Sequence, residues 1–417
     1  MRVAVIGGGM AGLSAAHALL GRGADPVVFE ASDKPGGKVG SVAERGFLTE
    51  DGPHFLARPL DGLIDAAGLR EEVVQPRPPM TRWVHVEGRV LKAPSLPLLV
   101  KAGVPRALLE PLFARPLRED MPLRAFLVQR LGRRAGSLAA SVMAAGVYAG
   151  DPDRLSARDA FPSLGERAAK GSIFKGPRRD RTGLWNLRRG LGSLPLALAA
   201  KLQVRLGTAV ERIEPGWKVQ GEKFDGVVLA VPASAAAKLT RGFAPRLADA
   251  LSSGFEAAPV ALVHLGFLQD TVPRGFGMID ADGALTAIGT LLPSSMLPGR
   301  APPGKALICA ICGGARHPER ARLSDQELTA EVVSELRRTM AIRGDPEYVR
   351  VVRHPEGIPQ YAPGHRPRVE AARALLLPGL ELAGAAYDGV SVPDVARSGA
   401  AAAERLLIAS PTQGVHI

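Results

Sequence analysis

The chain is poor in cysteine, with only Cys309 and Cys312 in 417 residues. A disulfide framework is therefore excluded, and two thiols alone are too few for a structural zinc site. The pair spells C-x-x-C, but it lies in the apolar run Ala306-Leu307-Ile308-Cys309-Ala310-Ile311-Cys312. That run reads as a buried strand, on which residues three apart face opposite sides, so core packing is expected. Aromatics make up only 5% of the residues and no zinc finger or comparable module is present, which argues against nucleic acid as a partner. No uncharged apolar run reaches the roughly eighteen residues that a membrane-spanning helix needs. No Ser/His/Asp set, paired carboxylates or metal-ligand spacing stands out; His17, His54, His85 and His264 read as incidental, and no metal is expected. An apolar strand begins at residue 2, which points to a cytoplasmic protein without a leader. No internal repeat is visible.

What is abundant describes a folded protein: 46% hydrophobic and 23% charged residues, with much Ala, Gly, Pro and Arg. The length suits two or three domains. The net charge of +12 is concentrated, since residues 88–190 carry 20 Lys and Arg against 8 Asp and Glu. Basic and apolar residues interleave there, as in 124–134 and 175–181. A solvated basic face, an interfacial segment for anionic lipid and a field for a polyanionic substrate all fit that pattern.

The first thirty residues hold the most specific pattern. Arg2-Val3-Ala4-Val5-Ile6 reads as a strand and is followed by Gly7-Gly8-Gly9-Met10-Ala11-Gly12, an apolar helix to Leu20, and a second strand ending Val27-Val28-Phe29-Glu30. This is a dinucleotide-binding unit. Gly7 makes the turn, Gly9 lets backbone approach a pyrophosphate, Gly12 packs helix on sheet, and Glu30 would accept from a ribose. Downstream, Gly36-Gly37-Lys38 resembles the FAD pattern of the flavin amine oxidase superfamily. No second glycine fingerprint follows, so NADPH has no evident seat, and oxygen or a quinone is the expected electron acceptor.

Along the chain the expected class is α/β, with a discontinuous Rossmann-type FAD-binding domain over 1–82, 191–240 and 375–417. A helical, membrane-associating insertion is expected over 83–190, including the start of the substrate domain. A substrate domain of mixed or antiparallel sheet is expected over 241–374. Within these, the pattern predicts helix over 123–147, 325–341 and 394–408, and strands over 224–232, 260–267, 285–292, 306–312 and 380–383.

Three further stretches resemble the oxygen-dependent protoporphyrinogen oxidases and their coproporphyrinogen-oxidising relatives. They are Gly146-Val147-Tyr148-Ala149-Gly150-Asp151-Pro152 with Leu155-Ser156, Ile358-Pro359-Gln360-Tyr361 with Pro363-Gly364-His365, and Gly384-Ala385-Ala386-Tyr387-Asp388-Gly389-Val390. The resemblance spans nearly the whole chain. It implies that Gly7 to Gly12, Glu30, Ala31 and Lys38 hold the adenosine and pyrophosphate of FAD, and that Val210 meets the adenine. Gly52, Pro53, His54 and Phe55 would line the isoalloxazine, with His354 nearby and Val390, Ser391 and Val392 beneath it. Phe276, Gly277, Ile279 and Ile311 would wall a tetrapyrrole pocket; read without the family, these are core residues.

The implied reaction is the six-electron oxidation of protoporphyrinogen to protoporphyrin, with three oxygens reduced to hydrogen peroxide in haem biosynthesis. It needs positioning in a dry slot more than an acid–base pair. The chain departs from the family pattern in three places: His354 stands where Trp is usual, Pro393 where Asn is usual, and Leu98 where a propionate-binding Arg is expected. Lys101 or Arg106 could replace that arginine. Coproporphyrinogen III oxidation, amine oxidation, carotenoid desaturation and a non-catalytic flavin-storing or membrane-docking role are the alternatives. A peripheral position on the inner face of the cell membrane and a homodimer are both left open.

Overall fold

The computed structural model describes residues 1–56, 60–95, 97–98, 103, 109–175 and 183–409. A five-stranded, all-parallel sheet forms one half, in the order Leu380–Leu382, Gly226–Leu229, Arg2–Ile6, Asp25–Phe29, Gln203–Arg205. Its central strands are covered on both faces, which is why they read as continuous apolar runs rather than alternating ones. Val3, Val5 and Val28 pack with the alanine-rich helices Met10–Leu20 and Val392–Ala409, while Ala4, Ile6 and Phe29 enter a second core with Phe224, Leu247 and Leu380. The two helices touch through glycine: a Cβ on Gly399 would lie 2.0 Å from the Ala11 carbonyl oxygen.

The other half is a seven-stranded sheet ordered Tyr348–Pro359, Ala257–Leu268, Lys305–Gly313, Ala287–Leu291, Gly277–Asp280, Arg82–Val86, Arg89–Ala93. All its pairings are antiparallel except Gly277–Asp280 with Arg82–Val86, so the sheet is mixed. One face is sealed by the amphipathic helix Asp325–Met340, whose start carries a Ser324/Glu327 capping box. The other face turns toward the parallel-sheet half, and its strand register decides which side chains meet the site.

The predicted helix over 123–147 is two helices, Leu123–Leu131 and Arg133–Tyr148. Gly132 breaks the run at φ 84°, and Gly136 sits so close that a Cβ would meet the Leu127 carbonyl oxygen at 2.4 Å. The remaining predicted elements appear within three residues of their expected ends. Among the described residues no helix is long and apolar enough to cross a membrane.

Candidate active site

The glycine turn does what its spacing requires. Gly7 takes φ 105°, and an added Cβ there would sit 2.5 Å from the Ala230 carbonyl oxygen; one on Gly12 would sit 1.9 Å from the Gly7 carbonyl oxygen. Gly9 bridges to Gly36, and its nearest obstacle is the Gly37 Cα at 4.0 Å. Gly9 also starts the helix Met10–Leu20 with no side-chain cap and no acidic residue in the first turn. Free N–H groups on a helix end beside a glycine-only surface form a seat for phosphate. Glu30 closes the turn from below: its carboxylate accepts from the Gly8 N–H at 2.6 Å and from the Ser32 N–H at 2.9 Å. Ala31 follows it in the same loop, and Val210 is half-buried against the neighbouring core. Gly7 to Gly12, Gly36 and Glu30 form one contiguous cradle whose bare backbone and single carboxylate suit a dinucleotide such as FAD.

Lys38 turns away from that cradle. Its ammonium donates to the carbonyl oxygens of Glu356 and of Gly357, the latter at 2.6 Å, and so straps the glycine loop to the strand Tyr348–Pro359. Burial lowers its pKa against the opposing attraction of Glu356.

The loop 50–55 lies between the two halves. Asp51 is desolvated, yet its carboxyl is held below the usual range because Arg350 at 2.5 Å and Lys34 at 3.2 Å bind it. A Cβ on Gly52 would meet the Lys38 carbonyl oxygen at 2.2 Å, so the loop folds tightly on the glycine turn. Pro53 follows and leads to the buried His54. His354 holds the Asp51 carbonyl oxygen at 2.5 Å, which anchors the loop from the sheet; burial lowers its pKa.

The four expected substrate residues fall on one strand system. Ile279 aligns with Gly289, and Gly289 with Ile311, so both isoleucines share a row. Ile279 reaches the helix Arg133–Tyr148 at Gly146, opposite the side on which Met278 packs. Gly277 passes so near its neighbour that a Cβ would lie 1.9 Å from the Thr290 carbonyl oxygen. Phe276 stacks on Phe55 with ring centroids 5.6 Å apart, joining the expected substrate wall to the expected flavin loop. Arg82, which the sequence pattern did not single out, covers the same Phe276 ring at 4.7 Å. Its strand pairs with one some 195 residues downstream, and no local signal marks that pairing. Leu98 is half-buried, whereas Lys101 and Arg106 lie outside the described residues.

The three stretches that carry the family resemblance converge beneath this region. Gln360 donates to the Tyr148 carbonyl oxygen at 2.9 Å, and Gly150 leaves room for it, since a Cβ there would meet Gln360 Oε1 at 2.8 Å. Tyr361 donates to the Ala385 carbonyl oxygen at 2.5 Å and accepts from the Gly389 N–H at 2.7 Å, which fixes the turn before Val390. His365 stacks on Tyr361 at 3.7 Å. Ser391 accepts from the Asp394 N–H at 3.3 Å at the start of the last helix, and Val392 packs beside Met10 and Leu56. The motif residues therefore act as a brace behind the turn.

His54, which the resemblance assigns to the flavin loop, and His264, which the sequence left without a role, also come together here with ring centroids 5.9 Å apart. Burial drives both below the usual histidine range, His54 to about 4 and His264 to about 3, so both are neutral. Cys309 lies beside them. Cys312 points to the opposite face of its strand, into the core under the helix Asp325–Met340.

The comparisons agree with this geometry. The flavin containing amine oxidoreductase family matches residues 10–407. Protoporphyrinogen oxidase of Homo sapiens is 32% identical, covering 98% of this chain and 99% of its own. That of Bos taurus is 31% identical with the same coverage. A solved structure from Exiguobacterium sp. 255-15, assigned to protoporphyrinogen oxidase, superimposes with a TM-score of 0.83 at 25% identity, covering 98% of both chains.

Proposed function

From its place in the flavin containing amine oxidoreductase family, to which the chain belongs on the protoporphyrinogen oxidase side as an FAD-dependent oxidoreductase, we propose that it oxidises protoporphyrinogen IX to protoporphyrin IX. The observation that carries this reading is the convergence of 148–150, 360–361 and 385–390 behind one turn. Those stretches set the family resemblance, and here they form a single hydrogen-bonded brace. FAD supplies the hydride acceptor. The cradle residues would bind it, the loop 50–55 would orient it, and Phe276, Ile279 and Ile311 would exclude water from the substrate face. Six electrons and six protons leave the macrocycle, and three oxygen molecules become three hydrogen peroxides.

Arg82 is the best-placed described cation for a substrate carboxylate. It sits at the rim of the Phe55–Phe276 stack, where a propionate could meet it while the ring system lies on the aromatic face. Membrane association draws support from a second feature. Leu112 and Phe113 are 75% and 76% exposed, and Phe174 is 57% exposed. Their segments are tied together by Glu110, which accepts from Ser172 and pairs with Arg130. Exposed apolar residues beside a basic surface suit the interface of an anionic membrane without a spanning helix. We place the protein peripherally on the inner face of the cell membrane on that basis.

The test is aerobic turnover of the flavin-loaded protein on protoporphyrinogen and coproporphyrinogen in parallel, followed by porphyrin fluorescence and peroxide. Preference for protoporphyrinogen with about three peroxides per porphyrin is expected, and Arg82→Ala should raise KM with little change in kcat. Oxidation of coproporphyrinogen alone, or of an amine alone, sinks the assignment.

A further inference from the structure

Each of the two buried imidazoles, one in the loop 50–55 and one on the strand Ala257–Leu268, spends one ring nitrogen on a backbone carbonyl. His54 Nδ1 meets the Gly52 carbonyl oxygen at 3.1 Å, and His264 Nε2 meets the Glu50 carbonyl oxygen at 3.0 Å. The remaining nitrogens, His54 Nε2 and His264 Nδ1, are buried and have no hydrogen-bond partner. His264 and Cys309 are fully buried, and His54 is 6% exposed. One nitrogen from each ring and the Cys309 sulfur lie within 4.8 Å of one another. They come from three separate places: the loop, the strand Ala257–Leu268 and the strand Lys305–Gly313. The register puts His264 directly opposite Cys309.

A buried unpaired imidazole nitrogen costs free energy, and two such nitrogens on rings gathered around one buried thiol are not explained by packing. Metal-bound histidines show the same arrangement: the far nitrogen is fixed by a backbone carbonyl, which sets the tautomer and points the other nitrogen at the ion. We propose that His54, His264 and Cys309 form a three-coordinate site for one copper(I) ion. The ligand set is soft, as thiolate with imidazole suits copper. Charge narrows the choice further. The guanidinium of Arg300 already acts on His54, beside the Glu50 carboxylate. Copper(I) bound by a thiolate adds no net charge there, whereas zinc would add one. On loading, the Cys309 S–H bond breaks, an S–Cu bond forms and one proton is released; no electron moves.

The second histidine cluster provides a contrast. His85 meets Asp280 at 2.8 Å, and Asp280 also accepts from the Asp282 and Leu285 N–H groups. Asp282 in turn accepts from the Glu87 and Gly88 N–H groups. That trio is satisfied by the protein itself, while His54 Nε2 and His264 Nδ1 are not.

The test is anaerobic titration of the full-length, flavin-loaded protein with copper(I) against bathocuproine disulfonate, repeated with equimolar zinc. One copper per chain, sulfur in its shell by X-ray absorption and a higher Tm on loading are expected. Cys309→Ser and, separately, His264→Gln should each lose stoichiometric copper while keeping flavin absorbance, which checks that the chain still folds. Failure to bind one equivalent, retention by both variants, or displacement of copper by equimolar zinc overturns the proposal.

Discussion

At the parallel sheet, six consecutive residues from Gly7 to Gly12 build a phosphate seat out of main chain, and only Glu30 adds a side chain. At the seven-stranded sheet, the corresponding surface is assembled from Phe55, Arg82, Phe276, Ile311 and His354, spread over some 300 residues. The first region depends on the absence of side chains, and at Gly7, Gly8 and Gly12 an added Cβ would collide with its neighbours. The second depends on their presence, and its weak points are buried polar groups rather than crowded backbone. Such regions fail differently: the first by steric exclusion of cofactor, the second by exposing an uncompensated charge.

The largest effect should come from breaking the first region. Gly12→Ala puts a methyl group against the Gly7 carbonyl oxygen, and neither backbone segment can yield without shifting a central strand. The purified variant is expected to carry essentially no flavin, read from its visible absorbance; a normal flavin content would show that the turn has slack.

Next comes Arg300, 1% exposed and 3.6 Å from the buried Glu50 carboxylate. Arg300→Met leaves Glu50 without its counter-charge, at a cost of about 3–5 kcal/mol in denaturant unfolding. Glu50 already sits above the usual carboxylate range through burial, so the loss should shrink as the pH falls and the carboxyl takes a proton. A pH-independent loss would mean that packing, not charge, is what Arg300 provides.

The brace between the regions offers a third test. Burial lowers His365 to about 4, partly opposed by its contact with the Tyr387 carbonyl oxygen. The unfolded chain protonates near 6.5 and the native chain only near 4, so the native state is fully favoured above pH 6.5. That contribution, about 3 kcal/mol, is lost as the pH falls from 6.5 to 4. His365→Phe keeps a ring on Tyr361 and should flatten the stability profile across this window. An unchanged slope would assign the acid sensitivity elsewhere.

The smallest effect probes the single side chain in the backbone-built seat. Glu30→Gln keeps the shape but turns charge-assisted hydrogen bonds into neutral ones. FAD affinity should fall about tenfold, measured by fluorescence quenching, with Tm little changed.

The same contrast explains what was legible in the sequence. The glycine turn, its flanking strands and Glu30 are local, so spacing alone identified them. The strands Ala257–Leu268 and Lys305–Gly313 were visible from composition, and the opposite facing of Cys309 and Cys312 followed from their separation. Arg82 beside Phe276, and His54 with His264 and Cys309, were not legible, because they depend on strand pairings and a loop contact that join distant segments. The break at Gly132 was hidden as well: apolar spacing continues through it, and only the close passage of Gly136 on Leu127 shows why two helices are needed.

The order of the parallel sheet also sets a timetable for a chain made from its N-terminus. Arg2–Ile6 is the central strand, but one of its partners, Gly226–Leu229, emerges more than two hundred residues later. The outer strand Leu380–Leu382 and the helix that lays Gly399 on Ala11 come last of all. The nucleotide fold therefore starts with the strand Arg2–Ile6 and is closed only by segments made more than 370 residues later. Until then an apolar strand waits without its neighbour, and a ribosome-bound chain should depend on chaperone cover throughout that interval.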